Sequence, residues 1–124
     1  MLRHRLLTDV ELELMQVLWD RGETSVREVM QALPKDRPLA YTTVATVLKV
    51  LEKKRFVSSH KGDRTHLYTV LVSRDAYEKK SVTHLVDKVF RGEPSSFVMR
   101  LLSQTKLSSE EVDSLRLLLD RIKP

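Results

Sequence analysis

Tyr41-Thr-Thr-Val-Ala-Thr-Val-Leu-Lys-Val-Leu-Glu-Lys-Lys54 is the stretch that decides the fold. Its aliphatic residues Val44, Val47, Leu48 and Leu51 recur at helical spacing and form one apolar stripe. At about 100° per residue, Thr42, Thr46, Lys49 and Lys53 fall on the opposite side. One helix therefore buries aliphatics and turns a face of hydroxyls and ammonium groups toward something outside the fold.

Just downstream, Phe56-Val-Ser-Ser-His60 and Thr65-His-Leu-Tyr-Thr-Val70 are short β-prone runs on either side of the polar turn Lys61-Gly-Asp-Arg64. That arrangement predicts a hairpin. Upstream, Ser25-Val-Arg-Glu28 is a capping box opening a short helix with Val26, Val29, Met30 and Leu33 apolar, and residues 34–38, bounded by prolines, form a loop. A second capping box, Thr8-Asp-Val-Glu11, begins a helix over about residues 9–21, with Val10, Leu14, Val17 and Leu18 on one side and Gly22 suited to a left-handed C-cap. Trp19 and Tyr68 fit as core aromatics between this helix and the hairpin. Three helices followed by a hairpin, within about 70 residues, is the order of a winged helix-turn-helix.

The rest of the chain reads as helical. One segment runs from about 73 to 91, stopped by Gly92. A second, about 94–104, is apolar nearly all round, which predicts burial. A third opens on the capping box Ser108-Ser-Glu-Glu111. Three short helices cannot cover this much apolar surface among themselves, and a second copy of the chain is the simplest cover. The competing arrangement folds them back on the winged domain in a monomer. The expected fold is therefore mainly α with a small β-hairpin wing. Residues 1–72 form a winged helix-turn-helix and 73–124 a helical dimerisation arm, paired through Val82, Leu85, Val86, Val89, Phe97, Leu101, Val112, Leu115, Leu119 and Ile122.

Charge location singles out the same region. Residues 35–66 carry eight basic side chains (Lys35, Arg37, Lys49, Lys53, Lys54, Arg55, Lys61, Arg64) against three acidic (Asp36, Glu52, Asp63), which is +5 and equals the net charge of the whole chain. Such a concentration is the footprint of a polyanion-binding face. The absence of cysteine excludes a disulfide scaffold, thiolate metal sites and a cysteine nucleophile. No stretch approaches the roughly 18 apolar residues of a membrane span. Arg3 and Arg5 are followed by too short an apolar run for a secretory signal, so a cytoplasmic protein is expected.

Catalysis finds no support. Gly22, Gly62 and Gly92 each stand where an element ends, leaving no phosphate-cradling loop, and neither G-x-S-x-G nor H-E-x-x-H occurs. His60 and His66 flank the turn, but His4 and His84 are distant in sequence, so no metal and no cofactor are expected. A hydrolase built on His60 or His66, and a winged helix that docks proteins rather than DNA, are the two readings from other classes.

Asp9-Val-Glu-Leu-Glu-Leu-Met-Gln-Val-Leu-Trp19, Ser25-Val-Arg-Glu-Val29, Thr43-Val-Ala-Thr46, Leu51-Glu-Lys-Lys54 and Tyr68 together resemble the BlaI/MecI penicillinase-repressor family over almost the whole chain. The resemblance implies a homodimeric repressor of an inverted-repeat DNA operator, released when a membrane-bound sensor protease cuts the helix matching 94–104. By position that cut falls at Arg100–Leu101, where the best-known members have Asn-Phe. Well-studied members place Lys and Arg at the positions of Thr42 and Ala45, while Thr43 matches, which implies a different operator. The C-terminal cysteine motif of the copper-responsive branch is absent. Base readout is accordingly expected from Thr42, Thr43, Ala45 and Thr46. Contact with the DNA backbone is expected from Tyr41, Lys49, Lys53, Lys54, Lys61 and Arg64.

Overall fold

The computed structural model describes residues 6–123. Arg3, His4 and Arg5 lie outside them. The described residues form α1 (Asp9–Arg21), α2 (Val26–Ala32), α3 (Tyr41–Lys53), β1 (Val57–Lys61), β2 (His66–Val70), α4 (Arg74–Lys88), α5 (Pro94–Gln104) and α6 (Ser109–Arg121). The mainly helical fold with one antiparallel hairpin matches the expectation. Residues up to Val82 form one compact unit and residues from Thr83 onward a second.

Reciprocal capping boxes start α1 (Thr8 with Glu11), α2 (Ser25 with Glu28) and α6 (Ser108 with Glu111), each satisfying amides that the first helical turn leaves free. Gly22 ends α1 at φ 81° but ψ −131°, so it needs glycine's freedom without adopting the left-handed helical cap expected of it. The core of the first unit gathers Leu14, Met15 and Leu18 of α1, Val29 of α2, and Val44, Leu48 and Leu51 of α3 around Phe56. The hairpin closes one side through Val57 and Tyr68. Trp19 is half-buried against this core, and its indole N–H donates to the Val72 carbonyl at 2.9 Å. The unit extends past residue 72 because Tyr77 packs edge-on to Phe56 and its hydroxyl accepts from the Leu7 N–H at 2.8 Å.

Strands β1 and β2 pair in the register Val57↔Val70, Ser59↔Tyr68 and Lys61↔His66. Tyr68 also exchanges both backbone hydrogen bonds with Thr24, at 3.0 and 2.8 Å, so the hairpin gains a one-residue third strand between α1 and α2. At the turn, a Cβ on Gly62 would meet Leu67 Cδ1 at 3.0 Å and the Thr65 carbonyl at 3.2 Å, so only glycine fits comfortably.

Where α3 turns into β1, Arg55 sits at φ 65°, in the left-handed region that L side chains avoid. Arg55→Gly is expected to raise the unfolding free energy by about 0.5–1 kcal/mol. Urea denaturation checks this, and a lowered midpoint would contradict it.

In the second unit, the rings of Phe90 and Phe97 approach to 5.4 Å between centroids. Gly92 at φ 76° lets the chain turn after α4, its N–H bonding the Val86 carbonyl at 2.9 Å. Within its own chain no residue of α5 is enclosed, and Val98, Met99, Leu101 and Leu102 are exposed, which leaves its expected cover by a second chain untouched. One expectation fails here. Val86, expected at the dimer interface, is buried within the chain, and Phe97 and Val112 are half-covered. The remaining arm positions, Val82, Leu85, Val89, Leu101, Leu115, Leu119 and Ile122, are exposed.

Candidate nucleic-acid interface

The helix α3 divides as its periodicity predicts. Val44, Leu48 and Leu51 are fully buried, while Thr42, Thr43, Thr46, Lys49 and Lys53 are exposed and pair with no other side chain among the described residues. Ala45 departs from the expected base-reading set. It is half-buried and packs against the core, because its position borders the Val44–Leu48 stripe. Tyr41 opens the helix half-exposed. Unlike α1, α2 and α6, this helix has an N-cap, Ala40, without a capping side chain, and no acidic residue in its first turn. Its positive end is thus left without a competing carboxylate.

Lys54 departs from the expected backbone-contacting set. Its ammonium lies 2.7 Å from Glu11 Oε2, in a pair whose carboxylate side chain is only 7% exposed. The other oxygen of Glu11 accepts from the Thr8 N–H at 2.9 Å. Burial works to raise the Glu11 pKa, but the hydrogen bonds from Lys54 and Thr8 and the nearby ammonium charge outweigh it, and the carboxyl is held below its ordinary value. A lysine committed to a buried carboxylate is structural. Arg37 is likewise engaged, forking onto Glu13 at 3.1 and 3.2 Å and pinning the loop before α3 to α1. Of the cations of residues 35–66, those exposed and left without a partner among the described residues are Lys35, Lys49, Lys53, Arg55, Lys61 and Arg64. The excess positive charge therefore survives at α3 and the wing after the structural pairs are removed.

The hairpin extends this face. By alternation, Val57, Ser59 and Lys61 of β1 share one side with His66, Tyr68 and Val70 of β2. That side is core at its base and carries Lys61 and His66 at its tip. His60 points to the other side, where its Nε2 lies 3.1 Å from Glu23 Oε2. The two wing histidines thus face opposite ways, and no group of three metal-ligating side chains gathers among the described residues. Burial, then the neighbouring charges of Glu52 and Tyr41, raise the Tyr68 pKa, so its hydroxyl stays neutral. Sequence periodicity missed one polar anchor. Glu52 Oε2 accepts from both the N–H and the hydroxyl of Ser59, at 3.2 and 2.6 Å, and so joins α3 to the wing.

The profile of the family described as Penicillinase repressor matches residues 7–121. The chain belongs to the penicillinase repressor family. It is 37% identical to the transcriptional regulator BlaI of Mycobacterium tuberculosis over 113 residues, covering 89% of this chain and 80% of that protein. It is 29% identical to the penicillinase repressor of Bacillus licheniformis over 117 residues, covering 94% and 91% respectively. The solution structure of the DNA-binding domain of the repressor BlaI superposes with a TM-score of 0.54 at 31% identity, covering 62% of this chain and 94% of that domain. As in the penicillinase repressors to which it is similar, nearly the whole chain takes part in the match. No helix among the described residues is long and apolar enough to cross a membrane.

Proposed function

We propose that this protein is a transcriptional repressor, not an enzyme, which binds double-stranded DNA by inserting α3 into the major groove. The observation that carries the proposal is the exposed face of Thr42, Thr43, Thr46, Lys49 and Lys53 opposite a fully buried aliphatic stripe, with Lys61 and Arg64 on the adjoining wing. Threonine methyl and hydroxyl groups suit thymine methyls and base edges, while ammonium groups suit phosphates. Residues 1–72 bind DNA in this reading, and 73–124 join two chains so that paired recognition helices meet an inverted repeat. A sensor protease that cut Arg100–Leu101 would sever the arm and release the operator. Both residues are exposed in the middle of α5, so the helix must open locally before a protease can take the chain in extended form.

Fluorescence anisotropy with a random-sequence duplex tests the core of this reading. Affinity should fall steeply with salt, and Lys49→Ala and Lys53→Ala should each flatten the log–log slope by about one unit. Slopes unchanged in both variants would remove α3 from the phosphates. Thr43→Ala and Thr46→Ala should instead lower discrimination between operator and random DNA by about 1–3 kcal/mol. Parallel loss on both duplexes would show that these threonines read no bases.

A further inference from the structure

Glu52 is the one acidic residue of α3, in a helix whose exposed polar side chains are otherwise hydroxyls and cations. A carboxylate there repels the phosphates that Lys49 and Lys53 would attract, unless it does something else. Its Oε2 holds Ser59 of β1 twice, through the backbone N–H at 3.2 Å and the hydroxyl at 2.6 Å. A hydrogen bond to an ionised acceptor is about twice as strong as one between neutral groups. Ser59 is the register partner of Tyr68, and Tyr68 is paired on its outer edge with Thr24. The bond thus grips the rung where all three strands meet. Lys61 lies two residues farther along the same face, about 7 Å toward the tip. Beyond Ser59 the hairpin loses its core contacts: Val57 is buried, Ser59 half-buried and Lys61 exposed. Glu52 therefore provides a fixed point on the face that carries Lys61, while on the opposite face His60 meets Glu23.

We infer that Glu52 is a positioning residue which, acting through Ser59, holds the wing against the recognition helix so that Lys61 meets the DNA backbone in register with α3. This rests on the DNA-binding reading above. An unlatched hairpin would still fold, but its tip would have to be ordered at each encounter, and that cost would appear as weaker binding.

The test uses the full chain and a random-sequence duplex of about three helical turns. Ser59→Ala leaves every charge in place and removes the shorter bond. Its Kd should rise about tenfold and its salt slope should fall by about one unit, as if the Lys61 contact were lost. Lys61→Ala should then add almost nothing in the Ser59→Ala background, although it weakens binding in the wild type. Ser59→Thr, which keeps a hydroxyl, should restore wild-type affinity and slope. A Ser59→Ala variant that unfolds earlier in urea but keeps Kd and slope would overturn the latch, as would fully additive effects of Ser59→Ala and Lys61→Ala. Wild-type protein without salt-dependent binding would overturn the DNA-binding reading itself, a failure visible before any variant is made.

Discussion

Replacing Leu115 and Leu119 together by Asp is expected to yield a folded monomer whose affinity for a duplex with two half-sites falls on the order of 10²–10⁴-fold, while its affinity for a single half-site is unchanged. The physical basis is the uncovered arm. Leu119 and Ile122 of the last helical segment are 64% and 60% exposed, and Met99 of α5 is 69% exposed. No residue of α5 or α6 is buried within the chain. Apolar surface on this scale marks an interface, and a homodimer is the commonest way to cover it. Two carboxylates placed in such a surface would lose hydration on association, so association should fail. The winged unit has its own closed core around Phe56 and should be untouched. Loss of pairing removes the effective concentration of the second recognition helix, and only the two-site duplex reports that loss. Analytical ultracentrifugation and anisotropy on single- and double-site duplexes check both halves. Wild-type protein that sediments as a monomer at micromolar concentration, yet binds its operator tightly as one chain, would refute the expectation.

The sequence made the skeleton of this fold legible because its signals are local. Capping boxes at Thr8, Ser25 and Ser108, and the 3.6-residue spacing of Val44, Leu48 and Leu51, each depend on residues within one or two helical turns. What stayed illegible depends on pairs far apart in the chain. The strand-like pairing of Thr24 with Tyr68 consists of one residue, too short to show any alternation. Lys54 looked like one more cation of α3 because its partner, Glu11, lies on another helix. Ala45 and Val86 carry no mark of whether an apolar position faces its own core or a partner. Arg55 is hidden for a different reason: nothing in arginine announces a positive φ, and a glycine there would have. Burial of α5 is a different case. An all-round apolar helix implies a cover, but its sequence does not say whether the cover belongs to the same chain.

Lys54→Met should cost about 1–3 kcal/mol of folding stability at neutral pH and leave the salt slope of DNA binding unchanged. The variant keeps the aliphatic stem, so packing is largely preserved and the ammonium is the main loss. What remains is the Glu11 carboxylate, 5% exposed, holding the Thr8 N–H but without a cation. A fully buried broken pair would cost more, but the Lys54 side chain is 28% exposed, and water can replace part of what it supplied. The pH dependence follows from the direction of the Glu11 shift. In the wild type its carboxyl titrates below the ordinary value, so its contribution is fully present above the unfolded-state pKa of about 4.3 and is lost as the pH falls through the lower folded-state value. Removing Lys54 takes away the principal group holding that pKa down while burial still pushes it up, so the variant's carboxyl protonates at higher pH than the wild type's. The stability gap between the two proteins should therefore be widest near neutrality and narrow as the pH falls through the carboxylate range. Urea unfolding at a series of pH values reads this directly. A gap that stays constant from neutral pH to pH values below about 4 would mean that Lys54 stabilises the fold through packing alone. A salt slope reduced by about one unit would return it to the phosphate-contacting residues.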